Sequence, residues 1–199
     1  MRMKPFGMVA LTAGAAICLA PPAQADLVAM APHERTYQSL FGSFTVGNRD
    51  EVINRIAPLN QVGTTRESLV NSAAYGRIDG MAGGVLKTGY HVGCAVSIGI
   101  GTLGVTSAEP LGLNPDNPTF SVDPGPLATI NLTPGEVREV PVAEKDLAPG
   151  ITGTIMIRDF HLVVNTCTGP VSIRQYTYLY AKSAEVDDSG AVFGDPTWL

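Results

Sequence analysis

The chain has 199 residues, with 13 basic against 18 acidic side chains, a formal net charge of −5, and a composition rich in glycine and proline. An acidic balance with no basic cluster excludes a surface built to neutralise nucleic-acid phosphates, and it disfavours docking on anionic membranes through a polybasic patch. The length suits one domain with a real core rather than two.

Arg2 and Lys4 precede an apolar stretch from Met8 to Ala20, and Pro21-Pro22 and Ala23-Gln24-Ala25 follow it. This order of charged, apolar and small-residue regions predicts a secretory signal peptide over residues 1–25, with Asp26 as the first residue of the mature chain. The apolar run is shorter than the about 20 residues that a spanning helix needs, so a retained anchor is the weaker reading. Ile17 stands before Cys18, where a lipid-attachment site wants a small side chain, which argues against a lipoprotein. Cleavage removes two of the 13 basic residues and none of the 18 acidic ones, so the mature chain carries a net charge of −7. It also removes Cys18, leaving Cys94 and Cys167 in an oxidising compartment, where two thiols read as one disulfide. The alternative is a pair of unbridged buried cysteines, because sequence does not show how closely their Cα atoms approach.

In the mature chain, His33 to Leu40 fits a short strand or a helical turn. Asp50-Glu51-Val52-Ile53-Asn54-Arg55-Ile56 places acids first and apolar residues at 52, 53 and 56, which predicts a short amphipathic helix ending before Pro58. Thr64-Thr65-Arg66-Glu67 fits a capped turn or the start of a strand. From Gly76 onward apolar residues alternate. Val85, Lys87, Gly89 and His91 share one face, and Leu86, Thr88, Tyr90 and Val92 the other. Val96 to Gly101 continues the alternation, and a slip of phase at Thr102-Leu103 suggests a bulge. Pro110, Pro115, Pro118, Pro124 and Pro126 then mark a long loop or irregular hairpin tip, since proline donates nothing to a ladder. Loops of that length usually serve a purpose. Ala128 to Leu132 and Val137 to Val142 read as short strands, Ile151 to Val164 and Val171 to Ala181 as strong ones. In the last of these Arg174, Tyr176, Tyr178 and Tyr180 share a face. Cross-strand packing explains that stripe more simply than a binding platform does. Short strands between turn signals imply an antiparallel sandwich or barrel.

No chemical constellation emerges. Gly99-Ile100-Gly101-Thr102-Leu103-Gly104 matches a dinucleotide-binding string, but no helix opens after it, so the phosphate-binding mechanism is missing. His91, Cys94, His161 and Cys167 would have to converge to hold a metal. On extended chain His91 and Cys94 face opposite sides, and His161 lies roughly 20 Å from Cys167. The disulfide uses the same sulfurs with fewer assumptions. None of the three histidines, His33, His91 and His161, stands in a nucleophile context, and Asp187-Asp188 reads as a solvated turn. The expectation is a protein that is no enzyme, with no metal and no cofactor.

Three stretches carry a family resemblance. They are Pro58-Leu59 with Thr65-Arg66-Glu67; Gly84-Val85-Leu86-Lys87-Thr88-Gly89-Tyr90-His91-Val92-Gly93; and Phe193-Gly194-Asp195-Pro196-Thr197-Trp198. Through these the chain resembles the MspA-type porins of mycolic-acid bacteria, the glycine-tyrosine string in the middle being the most specific part. The resemblance implies a β-sandwich protomer that assembles with its copies, eight around a ring, each lending a hairpin to a shared barrel. That barrel would cross the outer-membrane lipid and pass small hydrophilic solutes. Residues 103–130 would be the hairpin, with Asp116 and Asp123 as candidate pore-lining residues favouring cations. The family's porins carry neighbouring aspartates at the constriction, whereas these two are separated, and the return side offers little of the 9–11 residue alternation of a spanning strand. The cysteine pair is a further difference. The predicted fold is therefore mainly β, an antiparallel sandwich over residues 26–199 with a long Pro-rich excursion and a short N-terminal helix. The competing functional reading is a secreted or surface-attached sandwich of the same family without pore activity.

Overall fold

The computed structural model describes residues 26–80, 83–95 and 127–199. Their strands are β1 (Asp26–Ala29), β2 (His33–Ser39), β3 (Gly42–Ile56), β4 (Arg66–Gly80), β5 (Gly83–Cys94), β6 (Leu127–Asn131), β7 (Val137–Leu147), β8 (Gly153–Asn165), β9 (Val171–Lys182), β10 (Asp187–Phe193) and β11 (Thr197–Trp198). One sheet runs β1-β3-β4-β8-β6 with β2 also on β3; the other runs β10-β9-β5-β7 with β11 also on β9. All pairings are antiparallel except β6 along β8, which is parallel. From β4 to β9 every connection passes from one sheet to the other, so consecutive strands face each other across the core instead of pairing.

The two inner faces bury Phe44, Val46, Ile53, Val70 and Ile78 from the first sheet against Leu86, Tyr90, Val92, Ile173 and Leu179 from the second. Alternation dictates this: in β5, Leu86, Thr88, Tyr90 and Val92 point inward while Lys87 and His91 point out. Packing is close where the sequence supplies small residues. A Cβ at Gly76 would lie 2.7 Å from the Leu179 side chain, so the sheets approach over that glycine.

Among the described residues no helix forms, which corrects the helix expected at Asp50–Ile56. These residues are the end of β3, and the register with β4 shifts between Arg49 and Val52. Asp50 takes a left-handed φ of 55° and stays exposed, so the bulge absorbs it. Asn48 and Glu51 then both face inward, each buried. A polar residue in a core position, offset by one from the preceding alternation, is what made the stretch resemble a helix. A second bulge in β8 places Asp159 at φ 48°, where its N–H donates to Asn71 Oδ1 at 2.9 Å and its Oδ1 accepts from Asn71 Nδ2 at 3.2 Å. Asp187-Asp188 is also corrected: the turn is Ser183–Val186, closed by the Ser183 N–H to Val186 O at 3.1 Å, and the two aspartates open β10.

Candidate functional site

Chain direction gives the sandwich two ends. At one of them β3, β5, β6 and β8 finish, and β4, β7 and β9 begin. The chain leaves the second sheet there after Cys94 and returns to the first sheet at Leu127. We call this end the root.

The exit is fixed on three sides. Cys94 is joined to Cys167, with Cα atoms 5.8 Å apart, and both side chains are buried. The Cys94 N–H donates to Glu136 O at 3.0 Å, and its carbonyl accepts from the Gly135 N–H at 2.9 Å. The next residue, Ala95, donates to Pro170 O at 2.9 Å. The disulfide thus ties the end of β5 to the β8–β9 turn, whose flanking strands belong to different sheets.

Re-entry has a different geometry. Leu127 opposes His161 and Asn131 opposes Asn165, so β6 begins short of the root and runs toward it. Beyond it Leu132 is fully buried, donates to Asn165 O at 3.2 Å and accepts from Thr166 Oγ1 at 3.0 Å. The following turn is locked by Glu136, whose carboxylate accepts from the Thr133 N–H at 3.0 Å and Thr133 Oγ1 at 2.7 Å. Arg138 adds a contact at 2.5 Å. These bonds to the charged form hold the Glu136 carboxyl down at about 2.

The β3–β4 loop closes the same end. Glu67 accepts from the Leu59 N–H at 3.1 Å and meets His161 Nε2 at 3.0 Å. Thr65 is buried, accepts from Asn60 Nδ2 and donates to Asn165 Oδ1, both at 3.1 Å. Arg66 reaches the carbonyls of Gly63 and Thr65 at 2.6 and 2.9 Å. At the C-terminus Leu199 donates to Val171 O at 2.8 Å, and Arg55 holds Trp198 O at 2.6 Å and Thr197 Oγ1 at 3.1 Å while pairing with Asp26.

A second polar group lies between the sheets. Gln175 Nε2 donates to Ser72 Oγ at 2.8 Å across the core and to Thr88 Oγ1 at 3.3 Å. Nearby, Glu51 is only 2% exposed, and neither carboxylate oxygen meets a hydrogen-bond donor among the described residues. Burial, with Asp195 adding to it, pushes its carboxyl up to about 7. Gly194 packs closely beside it: a Cβ there would sit 2.9 Å from Glu51 Oε2, so a larger residue would displace that carboxylate.

Of the expected site residues, the structure joins Cys94 and Cys167 and separates the imagined metal set. His91 lies tilted against Tyr176 at 4.9 Å between ring centroids and approaches Tyr178 OH at 3.3 Å, and His161 is taken by Glu67. The tyrosine stripe packs mostly on itself, with Tyr176 and Tyr178 stacked at 4.5 Å and Arg174 over Phe193 at 4.5 Å. Asp116, Asp123, the Gly99–Gly104 string, the Thr102-Leu103 slip, the prolines 110–126 and the signal peptide 1–25 lie outside the described residues. Of the 103–130 excursion, 127–130 belong to β6. Sequence reasoning missed Glu51, Glu67 and Arg55. A signal existed only for Glu67, in the Thr65-Arg66-Glu67 string.

A search of curated proteins returns no match. The MspA family model matches residues 42–197, from the first residue of β3 to the first of β11, with the root and the excursion inside the match. The fold, the motifs and this match together make the chain a member of the MspA family, the porin-type family that its sequence resembles.

Proposed function

We propose that the mature chain is a protomer of a water-filled outer-membrane channel. Copies of it would assemble in a ring, eight by family resemblance, and pass small hydrophilic solutes, cations preferred. The observation that carries this reading is the family match, whose bounds, residues 42–197, enclose residues 96–126 and both of their roots. The root geometry supports it, because an excursion that bears load needs fixed feet. The exit foot is held by a disulfide and three backbone hydrogen bonds, and the return foot is a strand laid along β8.

Chain length is sufficient. Residues 96–126 supply roughly thirty residues, and two passes of a spanning strand need about 9–11 each. Because β6 runs toward the root, a returning leg has to reverse before Leu127, which takes up about five more. Asp116 and Asp123 would then line the passage and favour cations. The reading assigns the chain no catalytic role and no cofactor. The alternative, a soluble or surface-attached sandwich without pore activity, has one observation in its favour: the sandwich closes its own core and carries its own covalent brace.

Planar-bilayer conductance of the mature protein decides between them. Stepwise openings that vanish on deletion of 103–126, and that lose cation preference in D116N/D123N, support the channel. A detergent-independent monomer with silent bilayers rejects it.

A further inference from the structure

We propose that the root end is a lipid-contact surface, an apolar collar of Leu59, Val62, Val137 and Trp198 that settles into the interfacial layer of an electrically neutral bilayer. This inference rests on the channel reading for the presence of a membrane and adds which face of the sandwich meets it.

The four side chains come from three separate elements at one end: the β3–β4 loop, the first residue of β7, and β11. They are 92%, 47%, 71% and 56% exposed, respectively. Leu59 is not exposed because its loop is loose. Its N–H is held by Glu67, Val62 N–H donates to Asn60 Oδ1 at 3.0 Å, and Gln61 N–H donates to Pro58 O at 2.9 Å. The loop therefore presents leucine and valine outward from a fixed backbone, an arrangement that costs hydration free energy unless something apolar covers it.

Charged groups at this end are engaged locally. Arg55 pairs with Asp26 and Arg138 with Glu136, the Glu67 carboxylate is held by the Leu59 N–H and by His161 Nε2, and Arg66 is spent on carbonyls. A surface whose cations are already engaged offers little to anionic headgroups and little obstacle to an uncharged interface. The opposite end differs: around its exposed Leu40 and Ile151 stand the exposed Lys145, Asp146, Lys182, Glu185 and Asp187. Tryptophan suits the boundary between headgroup and acyl chain, having an apolar ring and one N–H donor. Lipid is favoured over a second copy as the occupant because this is the end from which roughly thirty residues of chain depart and toward which they return, a length that matches a crossing.

Trp198 is the only tryptophan, so intrinsic fluorescence reads the collar directly. With the full mature chain and phosphatidylcholine vesicles, its emission is expected to shift to the blue, to be quenched best by acyl chains brominated near the headgroup, and to respond little to salt. L59S/V62S/V137S should partition about tenfold or more weakly with its disulfide intact. L59S alone, with a smaller loss, serves if the triple variant unfolds. Four results would overturn the proposal: an unshifted Trp198 in a bilayer that conducts, quenching deepest at the bilayer centre, a shift that needs only protein concentration and no lipid, or binding confined to anionic vesicles and abolished by salt. An unshifted tryptophan with open channels leaves the channel reading standing, whereas a shifted one over silent bilayers supports the collar and removes the pore.

Discussion

The two ends of the sandwich are built on different principles. At the end opposite the root, the described connections are short: residues 40–41 between β2 and β3, 148–152 between β7 and β8, and 183–186 between β9 and β10. Gly42 and Gly80 face each other across β3 and β4 at φ 135° and 137°, and Gly150 at φ 75° donates to Ile78 O at 2.7 Å. Each such turn is specified by a few adjacent residues. At the root, closure depends on partners distant in sequence: Cys94 with Cys167, Glu67 with His161, Thr65 with Asn165, Arg55 with Thr197 and Trp198. Local turns tolerate loss one at a time, whereas a long-range closure distributes strain over several strands. The long-range closures of this fold therefore gather where the chain leaves it.

The most severe way to break that contrast is to remove the bridge. It spans 73 residues of sequence, and the loop-entropy treatment gives a stabilisation of about 4 kcal/mol. C94S/C167S is expected to lower the denaturant midpoint correspondingly. Native-state hydrogen exchange should quicken first at residues 92–95 and 131–136 and last at the Gly150 N–H. Uniform quickening at both ends would show that the root is not a separate unit.

Glu51 sharpens the comparison from between the ends. Its carboxyl is raised from 4.5 to about 7, so between those values the folded chain keeps a proton that the unfolded chain has released. Stability is then highest below pH 4.5 as far as this group is concerned, falls as pH rises through the window, and stays lower above 7. The loss is on the order of 3 kcal/mol. The charged or titratable groups facing it are Asp195, from the segment joining β10 to β11, and Tyr90, from β5. E51Q should flatten the slope between pH 5 and 8 and be the more stable form at pH 8. A urea series showing the same slope in both proteins would refute the assignment.

The legibility of the sequence follows the same division. Alternation made β5, β8 and β9 readable because most inward residues are apolar, with Thr88, Gln175 and Thr177 the polar exceptions, and the expectation of an exported chain with two cysteines made the bridge readable. Alternation failed at β3, where inward Asn48 and Glu51 flank a bulge, and at Asp187-Asp188, where solvated acids begin a strand that is held by β9 and by Tyr37 OH on Ala191 O at 2.7 Å. No local pattern could reveal that β6 lies parallel to β8, since that pairing is set by which sheet the chain re-enters. The root shows the same split. Thr65-Arg66-Glu67 stood out as a string, but its purpose depends on Leu59 and His161, which only the fold brings to it.

The smallest expected effect tests the far end by itself. A Cβ at Gly150 would meet nothing within 4 Å, yet the residue sits at φ 75°, so G150A introduces backbone strain without a clash. Ordinary residues pay about 1 kcal/mol for that conformation, offset in part by the reduced freedom of the unfolded chain. Thermal unfolding should report a loss of at most that size. The Cys94–Cys167 bridge, the blue shift of Trp198 on neutral vesicles and any channel conductance should all be unchanged, because the strain is confined to one turn whose only long-range backbone bond among the described residues is to Ile78 O. Were this single methyl to alter conductance as much as loss of the disulfide does, the ends would be coupled through the sheets, and the root could no longer be treated as the site where function is held.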